Sequence, residues 1–430
     1  MGAEQTIRIA QSCARDPREA VAELHAGVVQ PDAALVVFFC SSQYDREALA
    51  AEMGRRFAGG QVVGCTTAGE IGPAGCRDHS ITGVSFSSAA CTAVTGRLDD
   101  LRRFQIPDGV AFARDLRRRL GELAPESDGG NSFGLLLVDG LSGHEELLAH
   151  ALQEGLGEIS LVGGSAGDGM SFDSTFIYSD GRFSSNTAVL ILATTPLPFT
   201  EFKTQHFVPT DERLVVTEAD PAQRVVREIN GLPAAEEYAR ILGIDAGELD
   251  PVHFAASPVV VLIDGANYVR AIQKVNPDGS LKFYCAIDRG VVLRVAKGVD
   301  LVTNLETALS QVRARIGPPQ LVLTFDCILR KLEINQEGLD EAVSDILRGN
   351  HAVGFNTYGE QFCGVHVNQT LTAIALGFDP ASGSATRVAA RSEPGSEPGS
   401  EPGSEPGSEP RSEPGSEPRS EPGSAGVDDA

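Results

Sequence analysis

Three short segments hold the residue types from which a small-molecule site could be built: Cys65-Thr-Thr-Ala-Gly-Glu70, Gly163-Gly-Ser-Ala-Gly-Asp168 and Asn356-Thr-Tyr-Gly-Glu360. Glycines such as Gly164 and Gly167 let main-chain N–H groups approach an anion, and the hydroxyls of Thr66, Thr67 and Ser165 add donors. Cys65 opens the first loop, and Glu70 and Asp168 close the first two with carboxylates suited to a ligand's ammonium end. The same residues also describe tight strand exits with no ligand. Gly163-x-Ser165-x-Gly167 fits a nucleophile elbow, but that turn must open a helix. Here 171–178 reads as a strand, and no Asp-then-His pair stands out downstream. Ser165 as a hydrolase nucleophile is the weakest of these readings, and no catalytic residue is expected.

The third segment is a polar loop with a glycine hinge, carrying Tyr358 and Glu360. Alternation along a strand read over 364–378 puts Gly364, His366, Asn368 and Thr370 on one face. Beside Glu360 that face reads either as site lining or as the solvent side of a strand. Cys363-x-x-His366 places its two ligand types on opposite strand faces, and no second pair accompanies it, which argues against structural zinc. His206, in Glu201-Phe-Lys-Thr-Gln-His-Phe-Val208, shares a strand face with Phe202 and Val208. A neutral imidazole among apolar groups serves as a core histidine or as an axial haem ligand, and His366 is the second candidate for that role.

The elements that must position these segments repeat at a constant offset of 99 residues. An apolar strand over 35–39, a helix over 45–57 and a strand over 61–64 return as 134–138, 145–156 and 160–163. Crossovers of this kind build parallel strands, whose carboxyl ends commonly hold ligands. The pattern predicts an α/β domain over 1–205 made of two strand-helix-strand halves. After Pro198 the rhythm changes. Two helical stretches over 224–242, a strand at 259–264, and alternating runs joined by Asn276-Pro-Asp-Gly279 predict an antiparallel meander. With a helix over 301–316, a strand over 320–325, a helix over 339–347 and the closing strand, an α+β domain over 210–380 follows. From Ser392 the chain repeats Ser-Glu-Pro-Gly, a composition that cannot repay the entropy of ordering, so 392–430 is expected to be a disordered tail.

Composition narrows the function classes. The 430 residues carry 35 Lys plus Arg against 59 Asp plus Glu, a formal charge of −24. Phosphate repels such a chain, so nucleic acid and anionic membrane surfaces are poor partners. A run long enough to cross a bilayer is absent, and the first residues lack the apolar core of a signal peptide. Gly2 and Thr6 match a myristoylation pattern, but no basic cluster supplies the second anchor. Eight cysteines without Cys-x-x-Cys spacing fit a reduced, cytoplasmic protein.

Taken together, Val62-Val-Gly-Cys-Thr-Thr-Ala-Gly-Glu70, Gly163-Gly-Ser-Ala-Gly-Asp168, and Gly354-Phe-Asn-Thr-Tyr-Gly-Glu360 with His366-Val-Asn-Gln-Thr370 resemble the FIST family. These are bacterial signal-transduction sensors with an N-terminal and a C-terminal FIST domain. The resemblance spans nearly everything up to about residue 378 and implies ligand sensing, with small molecules such as amino acids as ligands. Phe202-Lys-Thr-Gln-His-Phe207, Tyr268-Val-Arg-Ala-Ile-Gln273 and Tyr358-Gly-Glu-Gln-Phe362 resemble the nitric-oxide-sensing, NosP-like branch. That likeness implies a haem b cofactor, nitric oxide as the signal and a histidine kinase as the regulated partner. No kinase, receiver or cyclase pattern is read in the chain, so the kinase is expected to be a separate protein.

Overall fold

Residues 6–263 and 265–378 are described by a computed structural model. The unbroken apolar runs become strands buried on both faces. In Ala33–Ser41, Leu35, Val37 and Phe39 enter a central core, while Phe38 and Cys40 meet the helices outside. In Ser132–Val138, Leu135 and Leu137 point inward and Leu136 and Val138 outward. Pro319–Cys327 repeats the pattern with Leu321, Leu323 and Phe325 inside and Val322 outside. Burial on both faces removes the polar alternation that a half-exposed strand would show.

The repeat therefore has three copies rather than two. Each copy is a strand, a helix, a central strand, a helical crossover, a parallel strand, a short hairpin and a returning strand. The parallel pairs are Ala33–Ser41 with Val62–Thr67, Ser132–Val138 with Ser160–Ser165, and Pro319–Cys327 with Ala352–Thr357. Thr66, Ser165 and Asn356 occupy the same register position in the three pairs. The spacing is 99 residues from the first copy to the second but 191 from the second to the third. An insertion over 207–298 explains the jump. It separates Phe199–Thr204, the first strand of the third copy, from Leu301–Ile316, its first helix. The insertion forms an eight-stranded antiparallel sheet with its own core around Tyr238, Phe254, Phe283 and Leu293. The insertion begins inside the third copy, after its strand Phe199–Thr204, and the third copy resumes beyond it.

The hairpins are exchanged around the ring. Glu70–Gly72 and Gly75–Arg77 of the first copy extend the third copy's sheet by pairing with Ala352–Thr357. Glu360–Phe362 and Val365–Val367 of the third copy extend the second copy's sheet. Ile177–Ser179 and Arg182–Ser184 of the second copy extend the first copy's sheet. Phe39, Phe325 and Phe355 pack against one another at the centre, with ring centroids 4.7–6.3 Å apart.

Several local expectations change. The strand read over 171–178 is confined to Ile177–Ser179, because Phe172 adopts a positive φ of 55° and Asp168 gathers the amides of 172–174. The first helical stretch of 224–242 is the strand Val225–Ile229, turned by Asn230-Gly231 into the helix Ala234–Leu242. The single strand over 364–378 is two, Val365–Val367 and Leu371–Gly377, broken at Gln369 with a φ of 51°. The Ser-Glu-Pro-Gly tail lies outside the described residues.

Candidate functional site

The two glycine-rich loops and the Asn356 loop meet where the three parallel strands end. Their main chains are spent on one another. Gly167 N–H donates to Thr66 O at 3.0 Å, Ala68 N–H to Asn356 O at 3.0 Å, and Tyr358 N–H to Ser165 O at 3.2 Å. These three bonds run from copy to copy and close a ring. A second ring links Thr66 N–H to Phe176 O, Ser165 N–H to Gly359 O and Asn356 N–H to Gly69 O, at 2.7–3.0 Å. The glycines serve this closure: a Cβ on Gly167 would lie 2.8 Å from Ala68 N, and one on Gly164 would strike Thr357, Phe325 and Phe355. Cys65 is fully buried in the central core.

The hydroxyls and carboxylates of these loops are paired internally as well. Thr66 Oγ1 accepts from Phe176 N–H at 3.0 Å, and Ser165 Oγ accepts from Gln361 Nε2 at 3.0 Å. A loop, not a helix, follows Ser165, and the amide of Gln361 separates its hydroxyl from His366. Glu70 is fully buried; it accepts from Thr67 Oγ1 and, at 2.9 and 2.8 Å, from the N–H and hydroxyl of Ser80. Glu360 repeats the arrangement with Thr357 Oγ1 and the N–H and hydroxyl of Thr370, at 3.3 and 2.6 Å. Burial is the main influence on both, raising Glu70 to about 7 and Glu360 to about 8. Asp168 accepts from three amides, of Phe172, Asp173 and Ser174, and from Tyr358 Oη. Burial pushes its carboxyl up, but these hydrogen bonds outweigh it and hold the group below its usual range.

Space for a ligand lies beside the rings rather than on them. A cavity of about 350 Å³ opens where the second and third copies face the insertion. Its wall includes Glu145, Phe172, Arg224, Tyr284, Tyr358 and His366. Phe172 and Tyr358 stack with centroids 4.5 Å apart and planes at 19°. Arg224 is fixed by Glu145 Oε2 at 2.8 Å and by Tyr284 O at 2.8 Å. His366 is buried; its Nδ1 faces Gln361 Nε2 at 3.3 Å, and Nε2 has no hydrogen-bond partner among the described residues. Burial first, then Arg224 and Arg270, push its pKa down to about 3, so the imidazole is neutral at physiological pH. Asn368, also buried, stands next to it against Gly359, with its Oδ1 unpaired.

His206 sits elsewhere. It lies between the strands Phe199–Thr204 and Phe207–Asp220, so strand alternation does not carry across it, and Val208 is 53% exposed. Both ring nitrogens are engaged, Nε2 with Glu333 Oε1 at 2.7 Å and Nδ1 with Arg330 at 3.2 Å. The structure thus brings Tyr358 and His366 together at one cavity and places Thr67 and Asp168 on another, of about 340 Å³, beside Lys331. Sequence reasoning passed over Phe172, Arg224 and Tyr284. The last two belong to the insertion, whose attachment to the second copy leaves no mark in local spacing. Among the described residues no cluster of metal-ligating side chains is present, and no helix is long and apolar enough to cross a membrane.

The FIST N domain matches residues 34–232 and the FIST C domain matches 234–363. The chain belongs to the FIST family of signal-transduction sensors. Among curated proteins none matches. Of solved structures, a cyanuric acid hydrolase from A. caulinodans shows 12% identity and a TM-score of 0.36, covering 86% of this chain and 99% of its own. A second cyanuric acid hydrolase shows 10% identity and a TM-score of 0.33 over the same shares. At that level of likeness the family assignment rests on the two domain matches alone.

Proposed function

We propose that this FIST protein senses its ligand in the cavity between the three-copy body and the insertion, that the ligand is haem b, and that nitric oxide bound there is reported to a separate histidine kinase. The observation that carries the reading is His366, a cavity-lining imidazole, neutral at physiological pH, whose Nε2 has no hydrogen-bond partner among the described residues. His206, preferred on sequence grounds, fits less well because Glu333 and Arg330 hold both its nitrogens. His366 would hold the iron, Phe172 and Tyr358 would face the macrocycle, and Arg224 would meet a carboxylate. Haem, when bound, supplies the iron to which nitric oxide binds. The rest is the chain's own work. Glu145–Arg224, Glu146 with the N–H of Ala286, and Arg270 with His366 O all cross from body to insertion. A ligand that favours one setting of this seam shifts the affinity for a partner by that same preference.

A small carboxylate metabolite is the second reading, and one contact favours it. Gln361 presents its Nε2 to His366 Nδ1 while also facing Gly359 O at 3.4 Å, which leaves the imidazole proton on Nε2 as a donor. Haemin titration of the purified chain decides between them. A Soret band that His366→Ala abolishes and His206→Ala retains supports haem. A band retained in His366→Ala removes the site, and no band at all removes haem. In that last case, thermal stabilisation by amino acids and dicarboxylates, lost in Arg224→Gln, supports the metabolite reading.

A further inference from the structure

A third and larger cavity, of about 600 Å³, shares no lining residue with the His366 site. It opens between the helices Arg46–Arg56 and Ile106–Leu123, at the amino end of Val62–Thr67. The FIST assignment and the resemblance that led to it leave it unused. Its charged lining is Arg97, Arg119 and Asp180. Arg97 is fixed by Asp99 at 2.6 Å and by Ser179 Oγ at 3.3 Å. Arg119 has no carboxylate partner among the described residues; its one contact is Thr95 O at 3.4 Å. Phe57 and Phe112, both half-buried, supply aromatic walls.

Gly54 gives the second indication. It interrupts the helix Arg46–Arg56, where glycine costs stability relative to alanine. Close packing does not explain it, since a Cβ there would meet nothing within 4 Å. What Gly54 does is line the cavity, together with Gly59, Gly60, Gly96 and Gly181, four further positions without side chains. The rim is thus built from missing side chains around two guanidiniums and aromatic faces.

We propose that this cavity binds a nucleoside phosphate, with the phosphate at Arg119 and Arg97 and the base against Phe57 and Phe112. Guanidinium forks match phosphate oxygens, and a planar base finds aromatic faces to stack on. The volume lies within the range of small-molecule pockets. Orthophosphate alone would leave the aromatic walls unused, and a free nucleoside would leave Arg119 unpaired.

Calorimetric titration of the full chain with AMP, ADP, GMP and GDP tests the proposal, with inorganic phosphate, adenosine and guanosine as half-ligands. The expected result is one nucleotide bound per chain, about tenfold or more tighter than either of its halves. Arg119→Gln should weaken it by about tenfold or more. Gly54→Leu should block it without lowering the thermal midpoint, because leucine is the better helix former. His366→Ala should leave it unchanged, so the two sites stand or fall separately. The proposal is overturned if no nucleotide binds, if phosphate alone binds as tightly, or if Arg119→Gln binds like the parent. Should Gly54→Leu fail to fold, the Arg119→Gln substitution, at a half-buried side chain with no carboxylate partner among the described residues, still decides.

Discussion

The turns at Glu70 and Glu360 are the same construction in two copies of one repeat, and they differ in what surrounds them. In both, a threonine three residues earlier donates to the carboxyl, and a Ser or Thr ten residues later gives its N–H and hydroxyl. In both, the preceding glycine has a φ near 140–148°. The space a Cβ would take is filled by Lys331 Nζ and Asn356 at Gly69, but by the His366 ring and Asn368 at Gly359. Lys331 lowers the Glu70 pKa, while Asp326 raises that of Glu360. In the second copy Ile177 stands at the carboxylate position, and Asp139 receives the amide of Asn186 and the hydroxyl of Thr175 instead. One scaffold thus tolerates a lysine, a histidine or a relocated acid at its centre.

The largest effect should come from removing a carboxylate. Glu360→Ala leaves two hydroxyls and an amide unpaired in the core and should cost about 4 kcal/mol, with Glu70→Ala within about 1 kcal/mol of it. Urea unfolding measures both; a gap well beyond that would show that the two turns are not energetically alike. Next, Gly359→Ala should cost about 3 kcal/mol and Gly69→Ala about 1. Both place a Cβ at positive φ, but at Gly359 it meets the ring of the buried His366, whereas at Gly69 it meets the flexible end of Lys331 and the side-chain oxygen of Asn356. Equal losses would break that distinction.

The pH dependence is gradual, at most about 1.4 kcal/mol per pH unit for each group. Each carboxyl is raised from an ordinary 4.5, so above that pH the folded chain keeps a proton that the unfolded chain has lost. Stability should fall as pH rises, until about 7 for Glu70 and about 8 for Glu360, and then level. Glu360→Gln should flatten the curve through pH 8, and Glu70→Gln only through pH 7, in urea midpoints taken from pH 5 to 9. Smallest of all, Lys331→Met should move the upper end of the Glu70 range toward that of Glu360. A window unmoved by Lys331→Met would mean that burial and the Thr67 and Ser80 hydrogen bonds set it without the lysine.

The crossover logic of the first two copies was legible because Leu35–Phe39 and Gly134–Val138 are apolar runs at fixed spacing, with small residues at the following strand ends. The third copy carries the same signature in Leu321–Phe325 and Gly354–Glu360, but the insertion broke the spacing that would have exposed it. Tyr358, His366 and Asn368 were found as a polar set beside a loop. Their neighbours Arg224 and Tyr284 are joined to them only by the docking of the insertion. His206 shows the opposite failure. Its apolar sequence neighbours suggested a pocket, yet a break in the strand turned it toward the buried charges of Arg330 and Glu333.

The exchanged hairpins bear on how the chain is made. The hairpin that begins at Glu70 finds its neighbouring strand only when Ala352–Thr357 has been synthesised, so a nascent chain holds an unpaired sheet edge for most of its translation. Contacts so distant along the chain slow folding, and the open edge is the surface on which aggregation would start. Cutting the finished protein between its repeats would not release independent units, because each sheet ends in strands lent by another copy.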